Sequence, residues 1–190
     1  MPREGKNDRI APVKNAGKEE GVVQLYLKPE SGRPKVLFSV LDEGGKLLYE
    51  VCGEYLSVGA HFALHIPDGG TAAKLTGVCL PGMYRFTAVS GTRRLRIWVK
   101  TQAPHRAVQF KGMNWRFRGS LLTRSFDVVE DHRGHSEPSV VMTHGSCWMG
   151  RSECYAVTVT QEANIPLALC VAVAIDCAAP NGCASPVPAG

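Results

Sequence analysis

The segment Ile165–Ile175, I-P-L-A-L-C-V-A-V-A-I, is apolar on every side. A helix of that composition cannot lie on a protein surface, where one face must be wetted; it has to be enclosed or inserted in lipid. Length separates the two. As a helix the run spans about 17 Å, well short of the ~30 Å hydrocarbon core of a bilayer, and the charge of Asp176 ends it. The segment is therefore expected to be a helix wrapped by the rest of the chain. Asn164 suits its N-cap, and Pro166 is tolerated in its first turn. Burying Leu167, Leu169, Val171, Val173 and Ile175 contributes roughly 1.5–3 kcal/mol each before chain entropy is subtracted.

The chain before it is patterned as short strands with Gly-containing turns. Val36–Leu41 meets D-E-G-G and resumes at Lys46–Val51; His61–Ile66 meets P-D-G-G and resumes at Ala72–Leu75. Tyr84–Val89 meets S-G-T and resumes at Leu95–Val99; Phe126–Val129 meets E-D-H-R-G and resumes at Val140–Met142. Gly and Asp supply the positive φ angles of tight hairpins. The unit repeats loosely: F-S-V-L-D-E-G-G-K-L-L-Y is echoed by F-D-V-V-E-D-H-R-G-H. Repeated hairpins leave edges open unless the sheet closes or packs on another. A closed barrel with the oily helix as its core satisfies both requirements.

The 190 residues suffice for one domain with a sizeable core. Met1–Gly21 is polar and expected to be a flexible arm, residues 22–177 to be the folded domain, and 178–190 a loose tail. The first residues show no secretory pattern, and neither end carries a myristoylation or prenylation signal. The seven cysteines are odd in number and form no Cys-x-x-Cys, which favours a reduced, cytoplasmic protein over a disulfide scaffold. Cys177 and Cys183 are the positions at which a lipid would be attached, were there one.

Four pieces, in the right order along the chain, resemble the LURP-one-related family. G-M-N-W-R-F-R-G (Gly112–Gly119) is similar to that family's Gly-x-x-Trp-x-x-x-Gly segment, and it is followed by F-D-V-V-E-D-H-R-G and the closing L-A-L-C-V-A-V-A-I-D. The early F-S-V-L-D-E-G-G-K-L-L-Y-E-V-C-G fits its opening hairpin, so the resemblance covers Val22 to Cys177. It implies the tubby C-terminal-like fold: a mainly β, closed antiparallel barrel of about twelve strands around a central hydrophobic C-terminal helix. The wider superfamily includes phosphoinositide-binding tubby proteins and phospholipid scramblases, so the resemblance fixes fold better than function. Two departures stand out. No tubby-type signature marks individual lipid ligands, and no carboxylate side chain follows Asp176 to build a calcium loop.

Charge gives the strongest functional signal. From Gly69 to Phe126 there is no Asp or Glu, yet the stretch carries half of the 22 Lys and Arg. In R-R-L-R-I-W-V-K, strand alternation puts Arg94, Arg96, Trp98 and Lys100 on one face and Leu95, Ile97 and Val99 on the other. In W-R-F-R, Arg116 and Arg118 oppose Trp115 and Phe117. With the apolar faces lining a barrel, Arg85, Arg93, Arg94, Arg96, Lys100, Arg116 and Arg118 form the expected site for an anionic membrane surface or a phosphoinositide. Near acidic lipid each such residue contributes about 1 kcal/mol. Two other readings stay open: a solvated outer face belonging to a protein-interaction or defence scaffold, and scramblase-like activity. A monomer is expected, peripheral on membranes. Nucleic acid is not, because the aromatic residues go to the core and no binding module is present.

Catalytic and metal sites are not expected, nor is a cofactor. His61 and His65, four apart in a strand, lie too far from each other to chelate. His132 and His135 fall in a hydrophilic turn. T-H-G-S-C-W-M-G, holding His144 and Cys147, reads as a turn between strands, without a carboxylate to orient a base. Asp176 opposes the helix dipole and is expected to close the barrel mouth through a salt bridge or hydrogen bonds.

Overall fold

The computed structural model describes residues 21–55, 59–102, 106–131, 139–149 and 152–179. The strands are β1 (Val22–Pro29), β2 (Val36–Leu41), β3 (Leu47–Tyr55), β4 (Gly59–His65), β5 (Thr71–Leu80) and β6 (Met83–Ser90). They continue with β7 (Arg93–Lys100), β8 (Ala107–Lys111), β9 (Trp115–Ser120), β10 (Ser125–Glu130), β11 (Ser139–Met149) and β12 (Ser152–Thr160), followed by helix α1 (Ile165–Ala178). All twelve strands form one sheet in the order β8-β7-β6-β5-β4-β3-β2-β1-β12-β11-β10-β9. Each strand pairs antiparallel with its neighbour, and the pairing of β1 with β12 brings the two ends of the domain together.

The wall curls around α1, as expected, and becomes a nearly closed barrel. Among the described residues it is zipped by ladders everywhere except between β8 and β9, the first and last strands of the order, which meet without one. The inner residues are the apolar members of each alternation. Leu95, Ile97 and Val99 are fully buried, as are Leu75, Ala88 and Val157. Turn chemistry matches the sequence: Gly45 at φ 79° donates to the Asp42 carbonyl at 3.0 Å, and the Lys46 amide donates to Asp42 Oδ1 at 2.9 Å. At Gly77 the reason for glycine is close approach, since any Cβ there would collide with the Phe86 ring directly across the ladder. The aromatic side chain covers the bare backbone.

The helix follows β12 after a short connection. Asn164 caps it, its Oδ1 accepting from the Leu167 amide at 3.0 Å. Every residue from Leu167 to Ala178 is buried. The helix rests on β5, β6, β7 and β12, so its greasy surface is what turns the apolar side of those strands inward. Burial lifts the Cys170 thiol to about 12, so this cysteine is inert packing material.

Two local expectations are corrected. The stretch Thr143–Met149 is the second half of the long strand β11, not a turn. Its turn-like Gly and Ser were misleading because pairing with β12 overrides local propensity, and this register sets Cys147 opposite Cys154. The two form a disulfide with Cα atoms 5.2 Å apart, a pairing that cysteine spacing had not favoured. Cys177 is fully buried on α1, so no lipid could be attached there without unfolding the helix. Cys183, His132, His135, most of the proposed arm and nearly all of the proposed tail lie outside the described residues.

Candidate functional site: a basic basin on the outer wall

The strands that carry the helix on their inner side carry a basic surface outside. Two adjacent rows cross the wall. One runs through His61, Thr76, Thr87, Arg96 and Lys111, and the next through Gly59, Val78, Arg85, Trp98 and Gln109. Gly59 and the short threonines leave a hollow of about 690 Å³ walled by His61, Arg85, Arg96 and Trp98. None of its lining residues is acidic. Glu54 pairs with His61 in the ladder at the β3 edge of the row.

Trp98 organises the charges. Lys111 Nζ stands 4.3 Å from its ring centroid, and Arg85 Cζ stands 5.6 Å away. These distances are those of cation–π contacts, which hold a cation in place without neutralising it. Arg85 makes a further weak contact at 3.9 Å from Nη2 to Met83 Sδ. Its guanidinium, like that of Arg96, is thereby presented on an open surface.

The residues singled out in the sequence do not form one cluster. Arg85, Arg94, Arg96 and Lys100 share the β6–β7 outer face, Arg94 and Lys100 lying one row to either side of the hollow. Arg93 opens β7 at the turn, paired with Ser90, and lies off this face. Arg116 and Arg118 are exposed on β9, beyond the seam with β8, and Arg116 Nη2 is committed to Asp131 Oδ1 at 2.8 Å. Lys111 and His61 complete the basin. Lys111 was legible in the alternation of V-Q-F-K, but its place beside Trp98 depends on the pairing of β7 with β8.

A second polar group is internal. Arg124, in the β9–β10 turn with φ 52°, reaches Asp176 at the end of α1, Nη1 to Oδ1 at 3.4 Å. The same Nη1 donates to the Tyr155 hydroxyl. This ion pair meets the expectation for Asp176. His144 stacks between Phe126, at 4.6 Å, and Tyr155, at 5.0 Å. Its Nδ1 lies 2.7 Å from the Arg124 carbonyl oxygen, so Nδ1 carries the proton and donates. Burial, with the nearby Arg124 charge as a smaller cause, pushes the imidazole down to about 4, although its bond to the Arg124 carbonyl acts the other way. The ring is neutral at physiological pH. Cys147, in its disulfide, has no thiolate to offer. Among the described residues no three His, Cys, Asp or Glu side chains converge on a metal position, and no helix is long and apolar enough to cross a membrane.

Fold and surface together define a helix-filled antiparallel barrel with one strongly basic wall. A solved structure of a protein from Arabidopsis thaliana is similar to this chain at 16% identity and a TM-score of 0.45, over 82% of this chain and 88% of that one. No family model matches the sequence, and no curated protein does either.

Proposed function

We propose that the protein is a non-enzymatic module that docks on anionic phospholipid or phosphoinositide head groups through Arg85, Arg96 and Lys111 around Trp98. The observation that carries this reading is the acid-free hollow of about 690 Å³ with two guanidinium groups on its walls. Planar guanidinium forks suit phosphate oxygens. An amphipathic tryptophan suits the head-group region. Arg94 and Lys100 extend the charge along the same face. The resemblance of Gly112–Gly119 and Leu167–Asp176 to LURP-one-related segments, whose wider superfamily includes phosphoinositide-binding tubby proteins, supports the same class of ligand. Scrambling is the weaker reading, because it requires α1 to leave the barrel, and residues Leu167–Ala178 would lose their enclosure.

Vesicle sedimentation tests the proposal at about 0.15 M salt, where screening acts beyond ~8 Å. Phosphatidylcholine vesicles containing phosphatidylserine or a phosphoinositide should pellet the protein, and pure phosphatidylcholine should not. The Arg85→Glu/Arg96→Glu variant should stay in the supernatant with an unchanged melting temperature. Competition by soluble inositol phosphate separates head-group recognition from adsorption to surface charge. Equal pelleting with neutral and anionic vesicles would remove the basis of the proposal.

A further inference from the structure

The β2–β3 turn carries Asp42 and Glu43, and the β4–β5 turn carries Asp68. The β5–β6 hairpin ends instead on Leu80-Pro81-Gly82-Met83, four residues without a charged or hydroxyl side chain. Leu80 is 39% exposed, and Val78, two residues back on the same outer face, is 45% exposed. With Met83 across the ladder from Leu80, they form a patch rather than scattered single side chains. The backbone of the tip is also suited to leaving water. Pro81 has no N–H to desolvate, and the Gly82 carbonyl accepts from the Thr101 amide at 3.0 Å. Unpaired N–H and C=O groups are what hydrocarbon excludes most strongly, so this turn brings less of that cost into lipid. Gln102 lies over Gly82, where any Cβ would strike its side chain, and braces the tip from the β7–β8 connection.

The rows of the outer wall change character toward this tip. Thr76, Thr87 and Arg96 share one row, Val78, Arg85 and Trp98 the next, and Leu80, Met83 and Lys100 the last. The series runs from hydroxyl and guanidinium groups, through an indole, to apolar side chains with a lysine at their margin. Successive rows lie ~7 Å apart, two residues at ~3.3 Å each. A bilayer changes over the same distance. Its head-group layer is roughly 5–7 Å thick on each side, the difference between a ~30 Å core and a ~40–45 Å whole.

We propose that the β5–β6 tip is a membrane anchor, in which Leu80 and Met83 enter the acyl-chain boundary of an anionic bilayer. Val78 and Trp98 then lie at the interface, where an indole is favoured, and the hollow beside Arg85 and Arg96 faces the head groups. The anchor rests on the lipid-docking reading and adds to it the tilt at which the barrel sits. Charge identifies the occupant as lipid. Arg85 and Lys100 flank the apolar patch, the Arg85 guanidinium reaching Met83 Sδ at 3.9 Å, and residues 69–126 hold no carboxylate side chain. A second copy of the chain would bring Arg85, Arg96 and Lys100 against their own kind.

The test uses the full chain, with isotopically labelled Leu, Val and Met methyl groups, on phosphatidylcholine nanodiscs containing phosphatidylserine and a phosphoinositide. A nitroxide near the carbonyl end of the acyl chain should broaden the Leu80 and Met83 methyls most, and those of Val78 less. The Val140 methyls, as exposed at 43% but on β11, should stay sharp. Leu80→Ser/Met83→Ser should weaken binding to vesicles of the same lipids at least about tenfold, and Leu80→Trp should strengthen it. Binding with the Leu80 and Met83 methyls unbroadened, or unchanged by Leu80→Ser/Met83→Ser, would overturn the anchor and leave head-group docking standing. Equal broadening of Leu80 and Val140 would show collision alone and overturn it as well. No binding to these vesicles would remove both the anchor and the docking on which it rests.

Discussion

Arg124 Nη1 lies 3.4 Å from Asp176 Oδ1, tying the last turn of the central helix to the β9–β10 turn of the wall. The Asp176 side chain is only 3% exposed, and that of Arg124 14%. The pair joins the helix end to the wall, and the acid opposes the helix dipole without being left uncompensated. Arg124→Met strips the carboxylate of this cation inside a low-dielectric core. The expected loss is about 3 kcal/mol in chemical denaturation. Arg124→Met/Asp176→Leu should recover much of it, because the uncompensated charge is gone. Strict additivity of the two single changes would show that the residues do not interact.

His144 makes stability depend on pH. Its folded pKa of about 4 lies below the ordinary 6.5. Between those values the unfolded chain binds a proton that the folded chain refuses. Stability from this source is complete above about pH 6.5 and falls as pH drops toward 4, by roughly 3 kcal/mol in total. His144→Phe removes the titration, so the slope of unfolding free energy between pH 6.5 and 4 should flatten, whatever the variant costs in absolute stability. An unchanged slope would mean that the ring is solvated.

Gly77→Ala puts a methyl group into the Phe86 ring across the ladder. The ring must turn away from a wall position packed against the helix, and overpacking of this kind costs about 1–3 kcal/mol. Thermal melting measures it. Pairing the change with Phe86→Leu should relieve part of the loss.

The Cys147–Cys154 bridge closes a short loop at the tip of the β11–β12 hairpin. By the chain-entropy argument its reduction should cost about 2 kcal/mol and lower the melting temperature by several degrees. Cys147→Ser/Cys154→Ser should melt like the reduced protein. If both melt like the oxidised form, the hairpin is held by its ladder alone.

Much of the architecture could be read directly. The run from Ile165 to Ile175 has no polar side, and that alone forces enclosure wherever the chain goes. Alternation in R-R-L-R-I-W-V-K assigns Leu95, Ile97 and Val99 inward and the arginines outward, because side chains on a strand alternate by a period of two. The turns at Asp42–Lys46 and Ile66–Gly70 follow from glycine and aspartate chemistry acting within a few residues.

What the sequence could not supply is whatever depends on which strand lies beside which. Lys111 is separated from Trp98 by a connection and joins it only through the β7–β8 register. Arg116 and Arg118 belong by spacing to the same basic stretch as Arg96, yet they stand beyond an unladdered seam. The segment around His144 and Cys147 looks like a turn when read alone and is a strand because β12 pairs with it. Enclosure of the helix and the facing of each strand are local consequences of hydrophobicity and a two-residue period, so the chain states them itself. Registers, the open seam and the partners of Asp176 arise from contacts between residues far apart in sequence, which only the closing of the barrel selects.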